Sequence, residues 1–286
     1  MYFAQFDPRP VGKEANEKIL QNAGDGVLGI EVTVPASCSL GNLDHHGPED
    51  NAQTPSASEQ ALTYEIPPAA ATLVTVRCDA DSVTAMAILA SRAEGRPVDE
   101  GIVRAVGRFD RLGPAEGRPS DEVIAINRVA ADFKRSLAER VEWVQEVLAG
   151  EGNPDEIAEL VAQLDAEFEA ARAASELRLE ANGRIAVVVS THRFATNLGY
   201  ESAPVVVAMN PEMPVDFRDS SKGTYKKFTV CRYDSHTPCD LPAALAELRE
   251  TESGWGGRGD IFGSPQGVSS KITIEQVVEV VAKHLK

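Results

Sequence analysis

The chain reads as an α/β protein of two domains, each a mostly parallel sheet with flanking helices, the two joined by long helices. Three observations predict this. Residues 71–77 are a β-branched run of strand length, ending in the polar turn Cys78-Asp79-Ala80-Asp81-Ser82 and followed by VTAMAILASRA with helical spacing. Residues 120–181 read as long helices rich in Ala, Glu and Arg. Strand-like runs then return from residue 183, and strands alternating with helices suggest a mostly parallel sheet.

Taken in order, residues 1–70 look irregular apart from one apolar stretch, residues 26–34, and a helix beginning near Ser56. After the strand and helix of 71–93, residues 101–109 form another β-type run ending at Asp110. Ser120 opens a helix that Gly150 closes, and Asn153-Pro154 opens a second one carried through residue 179. Their Glu/Lys/Arg pattern is most simply a solvated face. Runs at 184–189, 204–209 and 228–232 read as strands. LPAALAELRE reads as a helix, GWGGRGDIFGSPQG as a glycine-rich loop, and IEQVVEVVAKHL as a closing helix. The boundaries are therefore 1–119, a helical connector at 120–182, and 183–286, with no internal repeat.

The 286 residues carry 28 Lys and Arg against 44 Asp and Glu, a formal net charge of −16. Such a surface repels long nucleic acid, which needs a basic footprint, but allows a short nucleotide in a local basic pocket. The four cysteines, Cys38, Cys78, Cys231 and Cys239, form no CxxC pair, so neither structural zinc nor a disulfide framework is expected. The N-terminus lacks the features of a secretory signal, and no apolar run approaches the ~18 residues of a membrane span. A cytoplasmic protein with no membrane partner is expected, and a homodimer is allowed.

Three constellations could carry chemistry. Asp44-His45-His46 follows a strand-like stretch, and imidazole with carboxylate suits Mn, Fe, Co or Zn. Adjacent side chains point to different sides, so one can ligate a metal while the next faces substrate; the plainer alternative is a turn capped by Asp44. Asp79 and Asp81 lie just past a strand, where open α/β sheets bind ligands, and could serve two cations; the alternative is N-capping of the helix that follows. Gly256-Gly257-Arg258 lets backbone N–H groups approach an anion while the guanidinium grips phosphate; the alternative is a loop whose glycines only supply positive φ. His192, His236 and His284 are read as surface or packing residues.

LDHHGP and CDADSVTAMAIL together resemble the DHH phosphoesterase superfamily. FTVCR, DLPAALAEL and WGGRGDIFGSP, in that order, are similar to its C-terminal DHH-associated substrate domain. The resemblance covers both ends of the chain and skips 120–181. It implies a divalent-metal-dependent phosphoesterase, with two Mn2+ (or Mg2+ or Co2+) ions, that hydrolyses a small nucleotide or short oligonucleotide. By that analogy His45, Asp79, Asp81 and Asp110 hold metal, and His46 faces the scissile phosphate. Asp44 supports the histidines, and Arg232, Gly256, Gly257 and Arg258 hold the substrate. The chain departs from the family in three places. The triplet precedes the aspartate motif, Thr75 stands where a histidine is common, and GGR replaces GGH. The gap at Thr75 could be filled by Asp7 or Cys78. These departures keep a catalytically degenerate nucleotide-binding protein open as an alternative, and the 6% aromatic content, sparse for base stacking, keeps open an inorganic pyrophosphatase or polyphosphatase.

Overall fold

The computed structural model describes residues 1–34, 36–46, 54–113, 117–217, 219–233 and 237–286. Ten α-helices and two sheets stand among them, an α/β architecture as expected. The chain forms two compact units, Met1–Gln163 and Leu164–Lys286. The division falls inside a helix of the segment read as a connector, rather than on either side of that segment.

The first unit holds a four-stranded, wholly parallel sheet in the order β1-β4-β2-β3. Its strands are β1 (Tyr2–Gln5), β2 (Val27–Ile30), β3 (Asn42–Leu43) and β4 (Thr72–Thr75). The N-terminal 70 residues are thus far more regular than their sequence suggests, since α1 (Lys13–Asn22) and α2 (Ala57–Ala61) also lie there. β1 is short and takes its partner from β4, about seventy residues away, so no local pattern announces it. The apolar stretch 26–34 leaves the sheet early: β2 ends at Ile30, and Glu31 turns to φ 54°.

α3 (Ala80–Glu94) is buried from Ala80 to Ser91. A helix of small and apolar residues on every side must be covered on every side. α2, α4 (Glu100–Leu112), α5 (Asp121–Ala130) and α6 (Leu137–Leu148) pack around it. Val123, Ile126, Val141, Val144 and Leu148 share its core, so α5 and α6 belong to the body of this unit. Residues 101–109 are helical within α4 rather than a strand. Asp99 caps the helix by accepting from the N–H groups of Gly101 and Ile102, and Val103 and Val106 recur at helical spacing on the buried side.

α2 and α4 meet closely at Gly107, where a Cβ would lie 2.6 Å from Ser56 Oγ and 2.7 Å from Glu59 Cγ. Ser56 is held in a buried network described below, so it cannot yield cheaply. Gly107→Ala is expected to destabilise the protein by about 1–3 kcal/mol through overpacking, despite its better helix propensity. Chemical denaturation checks this.

The second unit contains the C-terminal part of α7 (Pro154–Ala173) and a six-stranded sheet, β5-β6-β7-β8-β10-β9. Its strands are β5 (Glu176–Glu180), β6 (Ile185–Val189), β7 (Val205–Pro214), β8 (Thr224–Arg232), β9 (Gly256–Gly257) and β10 (Ile261–Gly263). Only β6 and β7 run parallel, so this sheet is mixed rather than mostly parallel. The connections explain it: β6 reaches β7 through α8 (Ala195–Tyr200), whereas the other adjacent pairs are joined by returns that do not cross the sheet or by longer excursions. The helix expected to run to 179 stops at Ala173, and the charged ELRLE segment becomes edge strand β5. Ile185, Val187, Val205 and Val207 face α9 (Leu241–Thr251) and α10 (Ile274–Lys283); Ala186, Val188, Val206 and Ala208 face α8, the period of two that strands impose.

A candidate metal centre at the carboxyl ends of the parallel strands

In the first sheet Ile30 is in register with both Leu43 and Thr75. The residues just beyond this row leave the strands at their carboxyl ends, where parallel sheets place ligand sites. Glu31 follows β2, the triplet follows β3, and the Asp79–Asp81 turn follows β4. Asp110 arrives from the last turns of α4.

Glu31, His45, Asp81 and Asp110 bring one ligand atom each to within 4.8 Å of one another, and Glu31, His45 and His46 form a second such group. Nε2 of His45 lies 2.8 Å from Oδ2 of Asp110 and 3.3 Å from Oε1 of Glu31. Nδ1 of His46 is 3.4 Å from the same Glu31 oxygen. The His45 and Glu31 side chains are only 5% and 4% exposed, while Asp110 and His46, at 26% and 38%, open the cluster to solvent. Oε1 of Glu31 is buried, and its near neighbours are the two imidazoles, His45 Nε2 and His46 Nδ1. A buried carboxylate is costly unless positive charge meets it, and here an imidazole or a cation can do so. Three carboxylates and an imidazole are a hard oxygen-and-nitrogen set, so the cluster could hold a divalent metal ion.

The protonation of the cluster fits the same view. Burial pushes the Glu31 carboxyl up to about 8, with the fields of Asp81, Asp79 and Asp110 adding to the rise. The carboxylates of Asp110 and then Glu31 hold the His45 imidazole protonated up to about 10. Asp110 has the larger effect on His45, and the hydrogen bond with His45 works against the rise at Glu31.

Asp81 is fully buried and has a second task. Its Oδ1 accepts from Ser56 Oγ (2.7 Å), from the Ser58 amide (3.1 Å) and from the Ser58 hydroxyl; Oδ2 accepts from the Ala57 amide (2.7 Å). The carboxylate therefore ties the N-terminus of α2 to α3 and keeps a lone pair on Oδ2 for a ligand. Burial pushes its pKa up, aided by Asp110, and the serine hydrogen bonds oppose the rise. Asp81, expected as a metal ligand, stands in the metal-capable group and also carries the packing of two helices.

Asp79 is the N-cap of α3, accepting from the Ser82 amide at 3.0 Å, and is not among the side chains of either metal-capable group. Asp44 acts as a clamp: its Oδ1 accepts from the His46 amide at 2.8 Å and lies 3.1 Å from His46 Nδ1. Thr75 turns its hydroxyl to the Arg77 carbonyl. Glu31, one residue beyond Thr75's partner Ile30 on the neighbouring strand, enters the cluster instead. Asp7 is engaged by Arg9 and Asn16, and Cys78 is buried; neither enters the cluster. Glu31 escaped sequence reasoning, although a lone acid in the middle of the apolar stretch 26–34 was a signal of a buried charge with a task.

In the second unit Arg232 donates from Nη1 to the Cys239 carbonyl, and its Nε is buried without a partner among the described residues. Gly256 and Gly257 form β9, whose hairpin with β10 leaves no room for a side chain at Gly257. A Cβ on Gly257 would lie 2.4 Å from the Ile261 carbonyl oxygen, at φ 152°. Arg258 sits at the hairpin tip 3.4 Å from Asp260, both well exposed. Arg258→Ala should therefore move the melting temperature by less than ~2 °C, because exposed pairs of this kind contribute less than ~1 kcal/mol. His236 and the Gly47-Pro48 end of the triplet motif lie outside the described residues.

No protein-family model matches the chain, and no curated protein matches it in sequence. No helix among the described residues is long and apolar enough to cross a membrane, and the four cysteines are free thiols.

Proposed function

We propose that the chain is a divalent-metal-dependent phosphoesterase of the DHH type, acting in the cytoplasm on a small nucleotide or short oligonucleotide. The convergence of Glu31, His45, Asp81 and Asp110 from four separate segments carries this reading. Mn2+ suits the donor set, and Glu31, His45, Asp81 and Asp110 would hold it. Divalent cations held there would supply Lewis acidity toward a phosphoryl oxygen and a lowered pKa for water.

The chain's own residues then divide the remaining work. Asp44 fixes the orientation of the His46 ring from the Nδ1 side, which leaves Nε2 to hold or deliver a proton at the leaving oxygen of an ester. His46 is the more exposed of the two histidines, as a residue meeting substrate must be, and His45 is buried as a ligand. The wall of α3 keeps bulk water from the inner side of the cluster. The formal charge of −16 favours a short substrate over a long polyanion.

Calorimetric titration with Mn2+, paired with hydrolysis of bis-p-nitrophenyl phosphate and of a dinucleotide, tests the reading. Stoichiometric Mn2+ binding with metal-dependent turnover is expected. His45→Ala should lose metal, and His46→Ala should lose turnover with metal retained. Metal binding without hydrolysis of either ester would favour a nucleotide-binding protein, and hydrolysis of pyrophosphate alone an inorganic pyrophosphatase. No Mn2+ binding at all would end the metal reading.

A further inference from the structure

A second site is suggested by a cavity of about 430 Å3 in the second unit, at the carboxyl ends of the parallel strands β6 and β7. Its size is that of a small-molecule site, ~300–1,000 Å3. Two cations, Arg193 and Lys227, line it against one acid, Glu212, in a chain where acids outnumber bases 44 to 28. Arg193 is held in place by Glu167 and by stacking over the Phe194 ring at 4.7 Å. A guanidinium fixed in advance loses little freedom on binding an anion.

Two further lining groups have their acceptors already engaged. Nδ1 of His192 accepts from the Phe194 amide, so the neutral ring carries its proton on Nε2. Oδ1 of Asn210 accepts from the Glu212 amide at 2.9 Å, which leaves its NH2 group as donor. Lys227 spends one proton on the Ser264 carbonyl and has two more to give. Beside the single carboxylate of Glu212 the lining thus offers several donors, a set that suits a phosphate or carboxylate. The lining also includes the apolar Met213, Pro214 and Phe217, the last 81% exposed. An exposed ring beside a donor-lined cavity is a platform for a planar group.

The geometry points to a binding site for a nucleoside monophosphate, with the phosphate against Arg193, Lys227, His192 and Asn210 and the base against Phe217. The site lies wholly within the second unit and requires no metal. It therefore stands or falls separately from the phosphoesterase reading.

The full-length protein, kept in EDTA, is titrated calorimetrically with AMP, ribose 5-phosphate and adenosine. AMP should bind more tightly than either fragment. Lys227→Met should weaken AMP and ribose 5-phosphate alike by about tenfold or more, the loss of a charge-assisted contact. Phe217→Ala, a change at a side chain too exposed to affect folding, should weaken AMP by about fivefold or more and leave ribose 5-phosphate unchanged. The inference is overturned if AMP fails to bind up to ~10 mM, the range of the weakest specific sites. It is equally overturned if Phe217→Ala binds AMP as well as the wild type does.

Discussion

Asp81→Ala is expected to destabilise the protein by about 3 kcal/mol or more, a fall in melting temperature of roughly 6–12 °C. The carboxylate is fully buried and accepts from four donors on Ser56, Ala57 and Ser58. Alanine leaves all four in a dry interior, and each unpaired donor costs about 1–3 kcal/mol, offset in part by relaxation and by removal of a buried charge. Asp81→Asn helps little, because its NH2 group must face one of those donors. Asp79→Ala is the control: it removes an N-cap worth about 1 kcal/mol and touches neither α2 nor the metal-capable groups. Equal melting temperatures for the alanine variants at 79 and 81 would contradict the network. The same pair separates ligand from cap, since Mn2+ affinity should fall for the variant at 81 and far less for the one at 79.

The second large effect is a pH dependence that metal abolishes. Glu31 is raised from 4.5 to about 8 and His45 from 6.5 to about 10. Both shifts mean that the folded state binds protons more tightly than the unfolded chain does. Their stabilisation is complete below the unfolded values, and is lost as pH rises, through about 8 for Glu31 and about 10 for His45. The metal-free protein should therefore lose stability steadily between about pH 5 and pH 9. Saturating Mn2+ should flatten that slope, because the cation replaces the protons, and Mn2+ affinity should itself rise with pH. Glu31→Gln removes the acid that burial penalises. In EDTA at pH 9 it should melt above the wild type, and it should lose about a hundredfold in Mn2+ affinity. Melting curves at four pH values, with EDTA and with Mn2+, read both. A pH-independent wild type in EDTA would contradict the protonation of the cluster.

Much of the candidate site was legible because its signals are local. The β-branched run before Cys78, the Asp-Ser cap and the small-residue helix after it specify β4 and α3 within two dozen residues. His45 and Asp110 could be nominated by residue type, but the element carrying Asp110 could not be settled by its β-branched content. Ile102, Val103 and Val106 serve a strand or a helix alike, and the cap at Asp99 decides it. Glu31 was illegible for a different reason. Its role depends on the register of β2 against β3 and β4, which brings Ile30 level with Leu43 and Thr75. Strand pairing between distant segments leaves no periodic trace, and the same holds for β1 and for the mixed order of the second sheet. The double duty of Asp81 likewise depends on Ser56 and Ser58, which approach it only after α2 has docked.

Edge strand β5 has a consequence for the protein at high concentration. It pairs with β6 on one side only, and its residues alternate Glu176, Leu177, Arg178, Leu179, Glu180, with both leucines exposed. Such an edge invites a second copy to continue the sheet. Full antiparallel overlap of two such strands sets Glu176 against Glu180 and Arg178 against Arg178, and parallel overlap sets every charge against its like. The registers that bring Glu opposite Arg overlap by only three residues. Fibre-like growth along this edge is thereby discouraged by charge placement alone. A change of Arg178 to a neutral β-branched residue would remove that protection, leaving ordinary assays of the monomer untouched while solubility falls.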